Sequence, residues 1–321
     1  MKLNRRRFLG TTALALAAGV RILPARAATL KVAIVMPGNI TDKSWSQAGY
    51  EGIERIKNEL GVDTAYSEKV AQPDQAEAMA DYARRGYNIV IGHGGEFQEA
   101  ANHVAADFPE TTFIVHNGTE VSANVATLDF AYRQFGYALG TIAGRMSKSG
   151  KAGFIGAQKI KFSTDLVESY TNAFQKATNG GEVLVAWTND WDDIAKGKEA
   201  ALNQLSQGAD IVFPTMDNAA IGSLQALKEK SAWGFGLYYD AIADWPDTVL
   251  QSAIMDIKAA MFDVIKLATE NKLEVKNYKF GIDKPDPAAG RLGTFHSAVP
   301  AEVVAEVEAL VASMQDGSFQ P

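Results

Sequence analysis

Three large aromatic residues, Trp45, Phe162 and Trp191, fall in stretches that also carry Asp42, Asn189, Asp217, Asn218 and Asp240. Aromatic faces stack on flat rings, while neighbouring carboxylates and amides read a ring's edge by hydrogen bonding. This set of residues suits a cleft for a flat polar ring, and the apolar face of a sugar stacks there equally well. Two further junctions bring polar groups to the same kind of position: Gly92-His93-Gly94-Gly95 and Asp129-Phe130. His93 offers either a ligand contact or a general base.

Several of these residues also have ordinary structural uses. Asp42 or Ser44 suits the N-cap of a helix starting there, Asp217 or Asn218 suits that of a later one, and Asp192-Asp193 reads as a helix start. Capping and ligand binding are compatible, since both use loop oxygens or open N–H groups at a helix N-terminus.

Catalytic signatures are missing. The chain has no G-x-S-x-G elbow, no H-E-x-x-H, no phosphate-binding P-loop and no G-x-G-x-x-G after a strand. His93-Gly94-Gly95 is similar to an esterase oxyanion strip but lacks a nucleophile elbow to serve. Asn189-Asp-Trp-Asp-Asp193 lacks the glycine and closing glutamate of a calcium loop. With no cysteine, thiol chemistry, disulfides and Cys-ligated metals are excluded, and four histidines leave little for another metal site. The expectation is a binding protein, not an enzyme, with no cofactor and no metal.

The elements that must position these residues follow from the apolar pattern. The 321 residues exceed what one core usually covers, roughly 250 to 300 residues, so two domains are expected. From Lys31 short apolar runs alternate with longer amphipathic ones, the signature of a parallel α/β sheet. Predicted strands at 30–36, 62–66, 88–92, 112–116 and 124–128 alternate with helices at about 44–60, 74–85 and 97–107. The pattern restarts with a helix at 132–147 and strands at 152–156, 182–187, 211–214, 232–237 and 249–255. Helices at 163–178, 193–207, 219–230 and 257–270 complete it. In open α/β sheets ligands bind beyond the carboxyl ends of the strands, where nearly all the residues singled out above fall. Two such sheets facing each other form a cleft.

The first 27 residues form a leader. They hold six basic residues and no acid, then the apolar run Thr11 to Val20, then Ala25-Arg26-Ala27, the layout of a secretory signal cleaved after Ala27. Asn4-Arg5-Arg6-Arg7-Phe8-Leu9-Gly10 resembles a twin-arginine export signal. No cysteine follows to carry a lipid anchor, so a soluble periplasmic protein is expected. Removing six of the 31 basic residues leaves 25 against 38 acids, a formal charge of −13, which argues against nucleic acid as a partner.

The chain resembles the basic membrane protein family of ABC-transporter substrate-binding proteins, whose characterised members include purine-nucleoside receptors. The resemblance spans essentially the whole mature chain. It is carried by Asp42-Lys-Ser-Trp-Ser-Gln47 with Gly49-Tyr-Glu-Gly52, by Phe108-Pro109, Asn124-Val-Ala-Thr127 and Lys151-Ala-Gly-Phe-Ile-Gly156. It continues in Lys196-Gly-Lys198, Gln207-Gly-Ala-Asp-Ile-Val-Phe-Pro214 and Pro246-Asp-Thr-Val-Leu250. It implies a type I periplasmic-binding-protein fold: two doubly wound α/β lobes joined by a hinge of three crossovers, with the ligand cleft between them. Residues 28–130 with about 246–280 would form one lobe, and 131–245 with about 281–321 the other. The family's two stacking aromatics fall on Trp45 and Phe162, its base-edge aspartate on Asp42 and its ribose aspartate on Asp240.

Two departures bear on the ligand. Asp217-Asn218-Ala-Ala replaces a Gly-rich stretch, and Met255 stands where a ribose-contacting lysine is common. Losing a donor and gaining a carboxylate favours a free purine base, such as adenine, over a nucleoside. The implied partners are the permease and ATPase of an inner-membrane importer, served by a monomeric receptor. A receptor for a sugar or another flat heterocycle, a hydrolase using His93, and a receptor feeding a signalling partner are the competing readings.

Overall fold

A computed structural model describes residues 29–41, 45–284 and 288–321. The leader and Asp42 lie outside these residues. The chain builds β1 (Lys31–Val35), α1 (Trp45–Leu60), β2 (Asp63–Ser67), α2 (Gln75–Arg84), β3 (Ile89–Gly92), α3 (Gln98–Ala105), β4 (Thr112–His116) and β5 (Val125–Phe130). It then forms α4 (Tyr132–Met146), β6 (Lys151–Gly156), α5 (Lys161–Thr178), β7 (Glu182–Trp187), α6 (Ile194–Ser206), β8 (Ile211–Thr215), α7 (Ala219–Glu229), β9 (Trp233–Leu237) and β10 (Val249–Met255). Finally come α8 (Ile257–Thr269), β11 (Asn277–Phe280), β12 (Gly290–Leu292) and α9 (Ala301–Gln315).

These strands form two six-stranded sheets, ordered β11-β5-β4-β3-β1-β2 and β12-β10-β9-β8-β6-β7. All neighbours are parallel except β12, which runs antiparallel to β10. Parallel strands covered by helices on both faces read as continuous apolar runs, and β1 is buried from Val32 to Val35. Successive side chains still alternate between faces: Val32 and Ile34 pack toward α1 and α8, Ala33 and Val35 toward α2 and α3. The second sheet is covered the same way, with Ile155 and Val212 facing Ala201 of α6 and Leu224 and Leu227 of α7.

The chain passes between the sheets three times: from β5 into α4, from β10 into α8, and from β11 to β12. The boundary expected near residue 246 is displaced. Residues 249–255 belong to the second sheet, with Gln251 opposite Phe235 and Ser252 opposite Gly236, and the crossing falls at Asp256. The reason is burial: every residue of β10 is buried, which calls for an interior place in a sheet, and the one it takes lies between β9 and β12. The helix α8 that follows packs on α1 of the first lobe.

One packing feature fixes part of the cleft. Helices α4 and α5 lie side by side in parallel, and a Cβ on Gly136 would run into the carbonyl of Leu166. This close approach sets the first residues of the two helices together, so that the rings of Tyr132 and Phe162 lie 5.1 Å apart.

Candidate functional site

The carboxyl ends of both sheets point into the space between the lobes. Three residues just past strand ends adopt left-handed backbone: Asn117 after β4 (φ 55°), Asn189 after β7 (φ 54°) and Tyr238 after β9 (φ 71°). Such conformations are unfavourable for residues with a Cβ, least so for asparagine, and they cluster at functional sites.

On the first-lobe side stands Trp45, the first residue of α1. Its indole lies flat on the imidazole of His93, with centroids 4.3 Å apart and planes 12° apart. The indole N–H donates to the His93 carbonyl at 3.0 Å, and His93 Nε2 donates to the Trp45 carbonyl at 2.8 Å. A carbonyl can only accept, so His93 carries its proton on Nε2. Its Nδ1 lies 2.6 Å from Nδ1 of His116; with His93 neutral it accepts there, which places the His116 proton on Nδ1. Both imidazoles are fully buried. Burial, with His93 beside it, holds His116 well below the usual histidine range. His116 Nε2 has no partner among the described residues. His93 therefore lies beneath Trp45 with both nitrogens engaged and is not placed as a general base. Gly94 beside it is buried, with φ 148°.

On the second-lobe side, Phe162 lies against Trp191, with centroids 5.8 Å and planes 25° apart. Tyr132 joins this group to the strand ends, its phenol donating to Asn117 Oδ1 at 2.8 Å. Burial, with Asp129 and Tyr238 nearby, pushes the Tyr132 phenol well up, so it remains a donor. Burial also raises the carboxyl of Asp129, at the end of β5, to about 6, although the Phe130 N–H donates to it at 2.8 Å.

A cavity of about 410 Å³ lies between the lobes. Its first-lobe wall includes Trp45, Ala48 and Glu51 of α1 and Lys258 of α8, and Lys258 bridges to Glu51 at 3.0 Å. Its second-lobe wall includes Met216, Asp217, Asn218, Tyr238, Asp240 and Met255. The cavity thus gathers Trp45, Asp217, Asn218 and Asp240 from the residues singled out in sequence. Phe162, Trp191, Asn189, Asp129, His93 and Gly94 are not among its lining residues.

Some carboxylates and amides are engaged by the fold. Asp240 Oδ2 accepts from the backbone N–H of Thr294 at 2.9 Å and its hydroxyl at 2.7 Å. Asp240 Oδ1 is buried with no partner among the described residues. Asp193 caps α6 by accepting from the N–H groups of Ala195 and Lys196, as its place in the sequence indicated. Asn218 occupies the N-cap position of α7 but makes no side-chain cap bond, donating instead to Asp192 Oδ1 at 2.9 Å. Asn189 is exposed, and its N–H donates to the Ala157 carbonyl at 2.8 Å.

Asn117, Tyr132 and Tyr238 were not among the expected site residues. Asn117 and Tyr238 directly follow predicted strands, a position that marked them. Tyr132 opens a helix, where only the helix-to-helix contact reveals its role.

With this geometry in view, comparisons with known proteins place the chain. The profile of the family described as ABC transporter substrate-binding protein PnrA-like, Bmp, matches residues 29–285. The chain is 26% identical to the transcriptional activator protein med of Bacillus subtilis over 88% of this chain and 87% of the other. It is also 26% identical to a purine-binding protein of Brucella abortus, over 79% and 73%. Its fold is similar to that of an ABC transporter solute-binding protein from Aeropyrum pernix, with TM-score 0.80 and 19% identity over 91% and 92% of the two chains. Two parallel-sheet lobes, a cavity between them and a family match over most of the length lead to one conclusion: the chain belongs to the Bmp family of PnrA-like ABC-transporter substrate-binding proteins.

Proposed function

We propose that this protein is the periplasmic receptor of an ABC importer and captures a purine, as a free base in preference to a nucleoside, by stacking on Trp45 as the lobes close. The observation that carries the reading is the cavity between the lobes, walled by an indole from one and by Asp217 and Met255 from the other. A flat ring supplies a face for the indole, and its N–H groups supply donors for a carboxylate. Relatives support the purine: the Brucella abortus protein similar to this chain is named for purine binding.

The preference for a base rests on the residues a ribose would need. Met255 is buried and offers no donor, and with Oδ2 engaged by Thr294, Asp240 keeps only Oδ1 as an acceptor, one for the two hydroxyls of a ribose. A sugar hydroxyl enclosed there without a partner costs roughly 1 to 3 kcal/mol. Stacking contributes roughly 0.5 to 1.5 kcal/mol beyond area burial for each ring contact.

Because the walls belong to different lobes, a ligand touching both favours the closed form, and closure presents both lobe surfaces to the permease and its ATPase. The twin-arginine-like leader would deliver the receptor to the periplasm without a lipid anchor. Among the described residues no helix is long and apolar enough to cross a membrane.

The test is to purify the mature protein from its native host, denature it and identify any released molecule by absorbance and mass. A purine base is expected. A released sugar would overturn the reading, and a nucleoside would overturn the preference for a base.

A further inference from the structure

Trp45 has one face covered by His93, so a ligand ring can stack only on the other. A planar ligand held on both faces needs a second ring, and it needs one from the opposite lobe if binding is to drive closure. Phe162 is already engaged with two rings, Tyr132 at 5.1 Å and Trp191 at 5.8 Å, and does not line the cavity. Tyr238 does line it, and is the second-lobe ring in contact range of Trp45 among the described residues, with centroids 6.4 Å apart and planes tilted by 45°. Two van der Waals gaps of about 3.5 Å each require about 7 Å between flanking rings. The Trp45–Tyr238 pair is thus close to sandwich spacing, and a slight opening with a rotation that removes the 45° tilt would admit a ring.

The backbone points the same way. Tyr238 is held at φ 71°, a conformation that opposes any side chain with a Cβ, while its N–H is fixed to the Ala253 carbonyl at 2.9 Å. Glycine or asparagine would adopt this turn more readily, so the tyrosine is kept there against local preference. Strained residues of this kind persist where the surrounding structure and function require the side chain.

We infer that Tyr238, not Phe162, is the second-lobe ring of the clamp, closing on Trp45 to sandwich a planar heterocycle. The inference deepens the purine reading and rests on it.

The test is calorimetric titration of adenine, hypoxanthine and adenosine into the wild-type mature protein and the variants Y238F, Y238A, Y238N and F162A, with the Tm of each. Y238F should bind within about threefold of wild type, because its ring is kept. Y238A and Y238N should lose about tenfold or more. Y238N should meanwhile keep or raise the Tm, so that affinity and stability move apart, which a structural role would not produce. F162A should stay within about threefold of wild type. Wild-type affinity in Y238A and Y238N, or a loss in F162A as large as theirs, would overturn the clamp and leave the purine reading intact. Wild type binding none of the three compounds would overturn the purine reading, and the clamp with it.

Discussion

The imidazole of His93 and the indole of Trp45 are held together twice over, by a 4.3 Å stack and by hydrogen bonds from each side chain to the other's carbonyl. The ring that walls the cavity is therefore fixed by a residue behind it, which is in turn bonded to His116. The pair fits only because Gly49, one turn along α1, has no side chain. A Cβ there would lie 2.6 Å from His93 Nε2 and 2.8 to 2.9 Å from its ring carbons.

Replacing Gly49 with alanine sets two effects against each other. Alanine favours a helix interior by about 1 kcal/mol, while crowding a packed ring costs about 1 to 3 kcal/mol. The clash should win, leaving G49A less stable in urea unfolding and weaker in ligand binding. In an H93A background the clash is gone, so G49A should become neutral or stabilising. A penalty of equal size in both backgrounds would show that the His93 contact is not its cause.

His116 should make stability depend on pH. Its folded form resists protonation, while the unfolded chain takes up a proton below about 6.5. The stabilisation is complete above that value and is lost as pH falls below it, at about 1.4 kcal/mol per pH unit. H116Q, which can still donate to His93, should show a shallower fall between pH 6.5 and 5. Parallel curves for H116Q and wild type would contradict the buried neutral ring.

Asp129 works in the opposite direction. Its folded carboxyl titrates at about 6 against an ordinary 3.8, so the unfolded chain ionises first and stability falls as pH rises through that window. D129N removes the penalty and should be more stable than wild type above pH 6, by up to about 3 kcal/mol. The gain should vanish below about pH 4, and a gain constant across pH would place its cause elsewhere.

Capping and cavity lining separate at two neighbouring loops. Asp193 caps α6 through Ala195 and Lys196, so D193A should cost about 1 kcal/mol of stability with ligand affinity unchanged. Asp217 lines the cavity, so D217N should shift affinity and selectivity among purines with little change in Tm. The reverse pattern in chemical unfolding and titration would exchange the two roles.

The two lobes were legible in the sequence because a buried parallel strand is a short apolar run and its helix a longer amphipathic one. The strands from Lys31 to Met255 stand out for this reason. The late elements do not: β11 is exposed at alternate positions and β12 has three residues, so neither carries an apolar signature, and the path of the hinge depends on them. Trp45, Asp217 and Asp240, which line the cavity, were legible because they follow strands. What the sequence did not reveal is the partnering of each group. Asp240 and Thr294 are far apart in the chain, His93 is buried beneath α1, and Phe162 is taken up by Tyr132 and Trp191. Such contacts arise from packing between elements, which no local pattern encodes.

Purine capture is tested most directly by calorimetric titration of the ligand-free mature protein with adenine, hypoxanthine, adenosine and galactose. A free purine base should bind at least about tenfold tighter than adenosine, with no heat from galactose. Binding of galactose without any purine, or adenosine bound as tightly as either base, would contradict it.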